Sequence, residues 1–160
     1  VSDTITVQLR NSSSPFAIAD QTKAVLASDG TAQLIFGNAS SGNYYISVYH
    51  RNSIETWSAS PITVTSGGSV SYNFSSANTQ AFGNNMKQID ALPLRFGVYS
   101  GDQNQNGIVD LTDIVNVSNA ASLFTNGYVS TDMNGDNISD LTDVVITSNN
   151  ASAFISKITP

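Results

Sequence analysis

Residues 101–130 laid over residues 131–160 agree at thirteen positions: Asp102, Asn104, Ile108, Asp110, Leu111, Thr112, Asp113, Val115, Ser118, Asn119, Ala121, Ser122 and Phe124 all recur 30 residues later. A repeat of this period means two copies of one supersecondary unit that cannot bury its apolar face alone and must stack on its twin. The same stretch is where the acids gather. Of 12 acidic residues, seven (Asp102, Asp110, Asp113, Asp132, Asp136, Asp140 and Asp143) fall within 42 residues, and the other five are spread over the preceding hundred. All seven are Asp, regularly spaced and interleaved with Asn. Such a pattern calls for a cation.

Each repeat opens with the loop Asp-x-Asn-x-Asn/Asp. The first copy contributes Asp102, Asn104, Asn106, Ile108, Asp110 and Asp113, and the second Asp132, Asn134, Asp136, Ile138, Asp140 and Asp143. Ca²⁺ takes six to eight oxygens, and a 12-residue loop of EF-hand type supplies them from positions 1, 3, 5, 7, 9 and 12. On that reading position 7 gives the backbone carbonyl of Ile108 or Ile138. Position 9, Asp110 or Asp140, acts directly or through water. Position 6 needs a sharp turn with positive φ, which Gly107 adopts freely and Asn137 tolerates better than other non-glycine residues. Position 12 is Asp rather than the Glu of an EF-hand, and one helix follows each loop.

The loop chemistry, the duplication and the helix after each loop together resemble the type I dockerin family over residues 101–160. The resemblance implies two calcium ions on the twelve residues named. It also implies antiparallel packing of helices at about 111–124 and 141–154. Ile114, Val115, Ala121, Phe124, Val144, Val145, Ala151 and Phe154 have helical spacing and read as the core between them. Cellulosomal dockerins dock cohesins through loop positions 10 and 11 and basic helix residues. Those positions here are Leu111-Thr112 and Leu141-Thr142, and neither helix carries Lys or Arg before Lys157.

The chain of 160 residues has no cysteine, so a small module here cannot be stapled by disulfides or thiolate metal sites, while oxygen-ligated calcium remains available. A net charge of −6 argues against nucleic acid as a partner, because phosphate binding needs clustered Lys and Arg. Only 11% of residues are charged, and Ser, Thr, Asn and Gly abound, a composition of secreted or surface-exposed β-rich proteins. No apolar run reaches the roughly 18 residues of a membrane span, and a start at Val1 reads as a mature chain after signal-peptide removal.

Residues 1–93 are expected to form an antiparallel β-sandwich with a connector, and residues 94–160 the calcium-binding domain. The fold class expected is thus a mainly β sandwich plus an α-helical dockerin-like module with two EF-hand-type calcium loops. Strands are expected at Ile5–Arg10, Phe16–Leu26, Thr31–Phe36, Tyr44–Arg51, Ile62–Thr65, Ser69–Phe74 and Leu94–Tyr99, separated by turn residues such as Asp29-Gly30 and Gly67-Gly68. The segment from Gly42 to His50 resembles the central strand of transthyretin-like or CnaB-like sandwiches of bacterial surface proteins. His50, Arg51, Asn52, Glu55, Thr56 and Trp57 form a polar and aromatic cluster without a nucleophile or paired carboxylate, so it reads as a structural turn rather than a catalytic site.

The function expected is a non-enzymatic, secreted structural protein that self-assembles into an extracellular filament, with Ile5–Arg10 either exchanged between subunits or paired within its own sandwich. Two rivals stand beside it. One is an interaction module docking a cohesin-like partner. The other is a carbohydrate-binding module stacking a surface polysaccharide on Trp57, Tyr44, Tyr45 and Tyr49.

Overall fold

The computed structural model describes residues 3–160. It divides into two compact units: one of residues up to 49, 55–97 and 158–160, the other of residues 50–54 and 98–157.

In the first unit, Ile5, Val7 and Leu9 alternate with polar residues along β1 (Asp3–Asn11), and all three are buried. β1 pairs antiparallel with β2 (Ile18–Leu26), from Asp3 opposite Leu26 to Leu9 opposite Asp20, with a bulge between Leu9 and Arg10. The sheet continues through β3 (Gly42–His50) and β4 (Ser53–Trp57) in the order β2-β1-β3-β4, and β5 (Ile62–Val64) pairs with the start of β3. β6 (Lys87–Ala91) and β7 (Leu94–Gly97) form a separate two-stranded ribbon.

The placement of β1 corrects the exchanged-strand expectation. A strand already hydrogen-bonded on both sides offers no open edge to a neighbouring copy, and its three apolar side chains are spent on its own core.

The segment 31–36 keeps the alternation that suggested a strand, with Ala32, Leu34 and Phe36 half-buried, but it forms no ladder. The neighbouring loop is tied instead to the buried Asp20 carboxylate, which accepts from the backbone N–H of Asn38 at 2.7 Å and of Ala39 at 3.0 Å. Those bonds hold the Asp20 carboxyl below its usual range, the Asn38 amide contributing most. Residues 69–73 are likewise not a strand, and Phe74–Ser76 is a 3₁₀ turn capped by the Asn73 side chain.

Trp57 lies against Phe16 and Tyr45 at ring-centroid distances of 6.2 and 5.8 Å, with the Arg10 guanidinium 5.3 Å from its ring centre. Its indole N–H donates to Glu55 at 2.6 Å, and Glu55 also accepts from the Tyr49 hydroxyl at 2.5 Å. At 4% exposure Trp57 has no free face for a sugar ring, so the carbohydrate-stacking reading loses its main platform.

In the second unit, α1 (Leu111–Ser122) and α2 (Leu141–Ser152) pack on each other and are capped alike. Asp110 and Asp140 sit at the N-caps, and Asp113 and Asp143 close the capping boxes from position N3. Both helices stop after 12 residues, short of the expected 124 and 154. Phe124 and Phe154 turn left-handed there, with φ of 46° and 54°. The chain after each helix then crosses to the opposite repeat: Val109 N–H donates to Ile155 O at 2.9 Å, and Ser139 N–H to Thr125 O at 2.8 Å.

These features correct the expected architecture. The fold is a β-sandwich carrying two short helices, and residues 98–157 do not form an α-helical dockerin-like module with EF-hand loops. No helix leads directly into either aspartate loop, and outside α1 and α2 this stretch is turns, bends and isolated bridges.

The inward helix face also differs from the one expected. Buried are Asp113 and Val117 on α1, and Asp143, Thr147 and Asn150 on α2. Val115, Phe124, Val145 and Phe154, expected in the core, are exposed. The aspartates that cap each helix must face the loop they organise, and residues four positions on follow them inward.

Candidate metal centre

The twelve predicted residues lie in two loops built to one plan. In the first, Asp102 Oδ2 accepts from Gly107 N–H and Oδ1 from Asn106 N–H, both at 3.0 Å. In the second, Asp132 Oδ2 accepts from Asn137 N–H at 3.0 Å, and Oδ1 from Gly135 and Asp136 N–H at 2.7 and 3.2 Å. Position 3 folds back on position 5: Asn104 Oδ1 accepts from Asn106 N–H at 2.9 Å, and Asn134 Oδ1 from Asp136 N–H at 2.8 Å. Position 5 accepts from position 7, Ile108 on Asn106 and Ile138 on Asp136, both at 2.9 Å.

Position 12 closes each loop. Asp113 Oδ1 accepts from Gln103 and Asn104 N–H at 2.9 and 3.2 Å, and its Oδ2 from Asp110 N–H at 3.0 Å. Asp143 repeats this with Met133, Asn134 and Asp140 at 2.6, 3.1 and 2.8 Å. The side chains of Asp102, Asp113, Asp132 and Asp143 are almost wholly withdrawn from solvent, at 2%, 0%, 1% and 0% exposure. Position 6 takes the backbone its residues allow, with φ of 89° at Gly107 and 71° at Asn137.

Each loop therefore orders its carboxylates and amide oxygens with its own N–H groups. Among the described residues, no three acidic or imidazole side chains converge on one point. A cation held here would rely on a mixed set of carboxylate, amide and backbone carbonyl oxygens, which is the donor chemistry of calcium rather than of zinc or copper. Burial pushes the Asp102 carboxyl above its usual range, and the nearby Asp113 charge adds to this against the pull of the loop amides.

Sequence reasoning passed over two residues of this unit, Arg51 and Asn52, assigning them to a simple turn. Asn52 Nδ2 donates to the Asp132 carbonyl at 2.6 Å, and Arg51 donates to the carbonyls of Asp132, at 2.9 Å, and Val129. Some 80 residues separate these partners along the chain, and no local pattern announces such a contact.

No family model matches the chain, and no curated relative matches it. Its fold is similar to that of chains in two crystal structures of the type II cohesin–X–dockerin complex from Acetivibrio cellulolyticus, a C-terminal and an N-terminal interface mutant. The TM-scores are 0.52 and 0.50, each at 19% identity over 94% of this chain and 84% of that one. At this identity the likeness concerns the fold. Among the described residues, no helix is long and apolar enough to cross a membrane.

Proposed function

We propose that the chain is a non-enzymatic, extracellular protein–protein interaction module whose two aspartate loops hold one calcium ion each and thereby fix the helices that meet the partner. One observation carries this reading: three apolar residues stand exposed at the same repeat positions, two on each helix and one just past its end. Leu111 and Leu141 are 70% and 72% exposed, Val115 and Val145 are 48% and 50%, and Phe124 and Phe154 are 66% and 88%. Large apolar side chains left in water at matched positions favour a covering surface.

The leucine and valine pairs are anchored to their loops. Leu111 and Leu141 directly follow the N-cap aspartate, and Val115 and Val145 lie one turn further on. The residues that would hold the ion are Asp102, Asn104, Asn106, Ile108, Asp110 and Asp113, with Asp132, Asn134, Asp136, Ile138, Asp140 and Asp143 in the second loop. An ion in each loop would relieve the repulsion between buried carboxylates and make helix position depend on it.

The partner class favoured is a protein of the kind found in cohesin–dockerin assemblies, since the fold is shared with a chain of such a complex. Surface plasmon resonance over immobilised cohesin modules tests this. The expected result is binding in calcium that is abolished by chelator and by the pair Leu111→Asp and Leu141→Asp. Binding indifferent to both changes would overturn the proposal.

A further inference from the structure

We propose that the turn at residues 50–54 is a clip coupling the two aspartate loops, so that filling one favours filling the other. The inference rests on the calcium reading above and deepens it.

Asn52 is 1% exposed and reaches both loops at once. Its carbonyl accepts from the N–H of Gly101, the residue before Asp102, at 2.7 Å, and its side-chain amide donates to the carbonyl of Asp132 at 2.6 Å. One buried residue thereby holds the start of both loops, the first through its backbone carbonyl and the second through its side chain. Neighbouring residues reinforce the grip. Gln105 Nε2 in the first loop donates to the carbonyls of Asp102 and Ser53 at 2.6 and 3.3 Å, and Ile54 N–H donates to Tyr99 O at 2.8 Å. On the second loop Arg51 donates to the carbonyls of Val129 and Asp132, lies 3.7 Å from Asp132 Oδ2, and stacks 4.6 Å over the Tyr128 ring.

The turn thus engages mainly backbone atoms beside the ligand carboxylates, with the Arg51–Asp132 ion pair its one approach to a ligand oxygen. A backbone tie of this kind transmits order. When the first loop closes, Gly101 is fixed, Asn52 is held by it, and Asp132 keeps its backbone partner. When the first loop opens, Asn52 loses one of its two anchors, and the carbonyl of Asp132 stands to lose a buried donor. Coupling is reciprocal, so the second loop acts on the first in the same measure. Arg51 and Asn52 are therefore positioning residues, acting on the ion through Asp132 and Gly101.

Calcium isotherms on the full chain test the inference. Asp113→Ala disables the first loop and Asp143→Ala the second, each in the native background and with Asn52→Ala. In the native background, disabling either loop should weaken the other about 5-fold or more. With Asn52→Ala the intact pair of loops should bind independently, each as weakly as it does alone. If Asn52→Ala does not fold, Arg51→Gln supplies the test, since it spares the Asn52 link. It should weaken the second loop about 10-fold, as other outer-shell partners of metal ligands do, and leave the first loop unchanged when Asp143→Ala is also present. Coupling that survives Asn52→Ala, independent loops in the native protein, or equal losses at both loops with Arg51→Gln would each overturn the clip alone. A native chain that binds no calcium would overturn the calcium reading, and the clip with it.

Discussion

Calcium removal should loosen the unit of residues 98–157, and the loss should depend on pH in opposite senses with and without the ion. With extracellular-type affinities of about 10⁻⁴–10⁻³ M, 10 mM calcium lies about 10 to 100 times above Kd, which by mass action stabilises by about 1.4–2.7 kcal/mol per site. Two sites give about 3–5 kcal/mol, a shift in unfolding midpoint on the order of 10–20 °C or more for a unit of this size. The pH dependence follows from Asp102, whose carboxyl is raised by burial and by Asp113. A raised carboxyl takes up its proton in the folded state before it does in the unfolded chain. Without the ion, this group therefore favours folding at low pH and costs stability as pH rises from the ordinary carboxylate value near 4. With the ion the sign reverses, because protons compete with it for the carboxylates. Thermal melts followed by circular dichroism at pH 5 and pH 7, in chelator and in 10 mM calcium, provide the check. A midpoint insensitive to chelator, or a chelated form that weakens from pH 7 to pH 5, would refute the reasoning.

Three further outcomes are expected. Calorimetric titration should show Asp113→Ala losing more calcium affinity than Asp110→Ala, and Asp143→Ala more than Asp140→Ala, because position 12 holds its loop through three backbone amides; equal losses would mean the ligand roles are misassigned. The Tyr49 phenol, pushed up to about 12 by burial and by Glu55, should be the late component of a phenolate absorbance titration. Its stabilising effect is complete below the unfolded value of about 10 and is lost as pH rises toward about 12, whereas in Tyr49→Phe the late component vanishes. Asp20, held low chiefly by the Asn38 amide, contributes stability above the ordinary carboxylate value that is lost as pH falls through its own; Asp20→Asn should flatten the acid limb of a pH-melting curve, and an unchanged limb would count against the loop-tying role.

The aspartate loops were legible because one spacing encodes three requirements at once. Asp110 and Asp113 are two of the proposed ligands, the N-cap and the N3 member of a capping box, so the helix starts at Leu111 and Leu141 were readable from the same residues. Which face of each helix turns inward was not. The repeated apolar residues look like a shared core, yet beyond the shared Asp113 and Asp143 the buried positions are ones that differ between repeats, such as Val117 against Thr147. The strand Ser53–Trp57 escaped notice because four of its five residues are buried, which erases the alternation that marks a half-exposed strand. Thr31–Phe36 has that alternation without a partner, since strand pairing is settled by distant chain and not by local pattern. The role of Arg51 and Asn52 was hidden for the same reason.

The number of calcium ions the chain holds is the most direct test of the two aspartate loops. Equilibrium dialysis against millimolar calcium with elemental analysis should find two ions per native chain, one in Asp113→Ala, one in Asp143→Ala and none in the double variant. Calcium at background level in the native chain, or two ions retained by the double variant, would contradict the calcium reading.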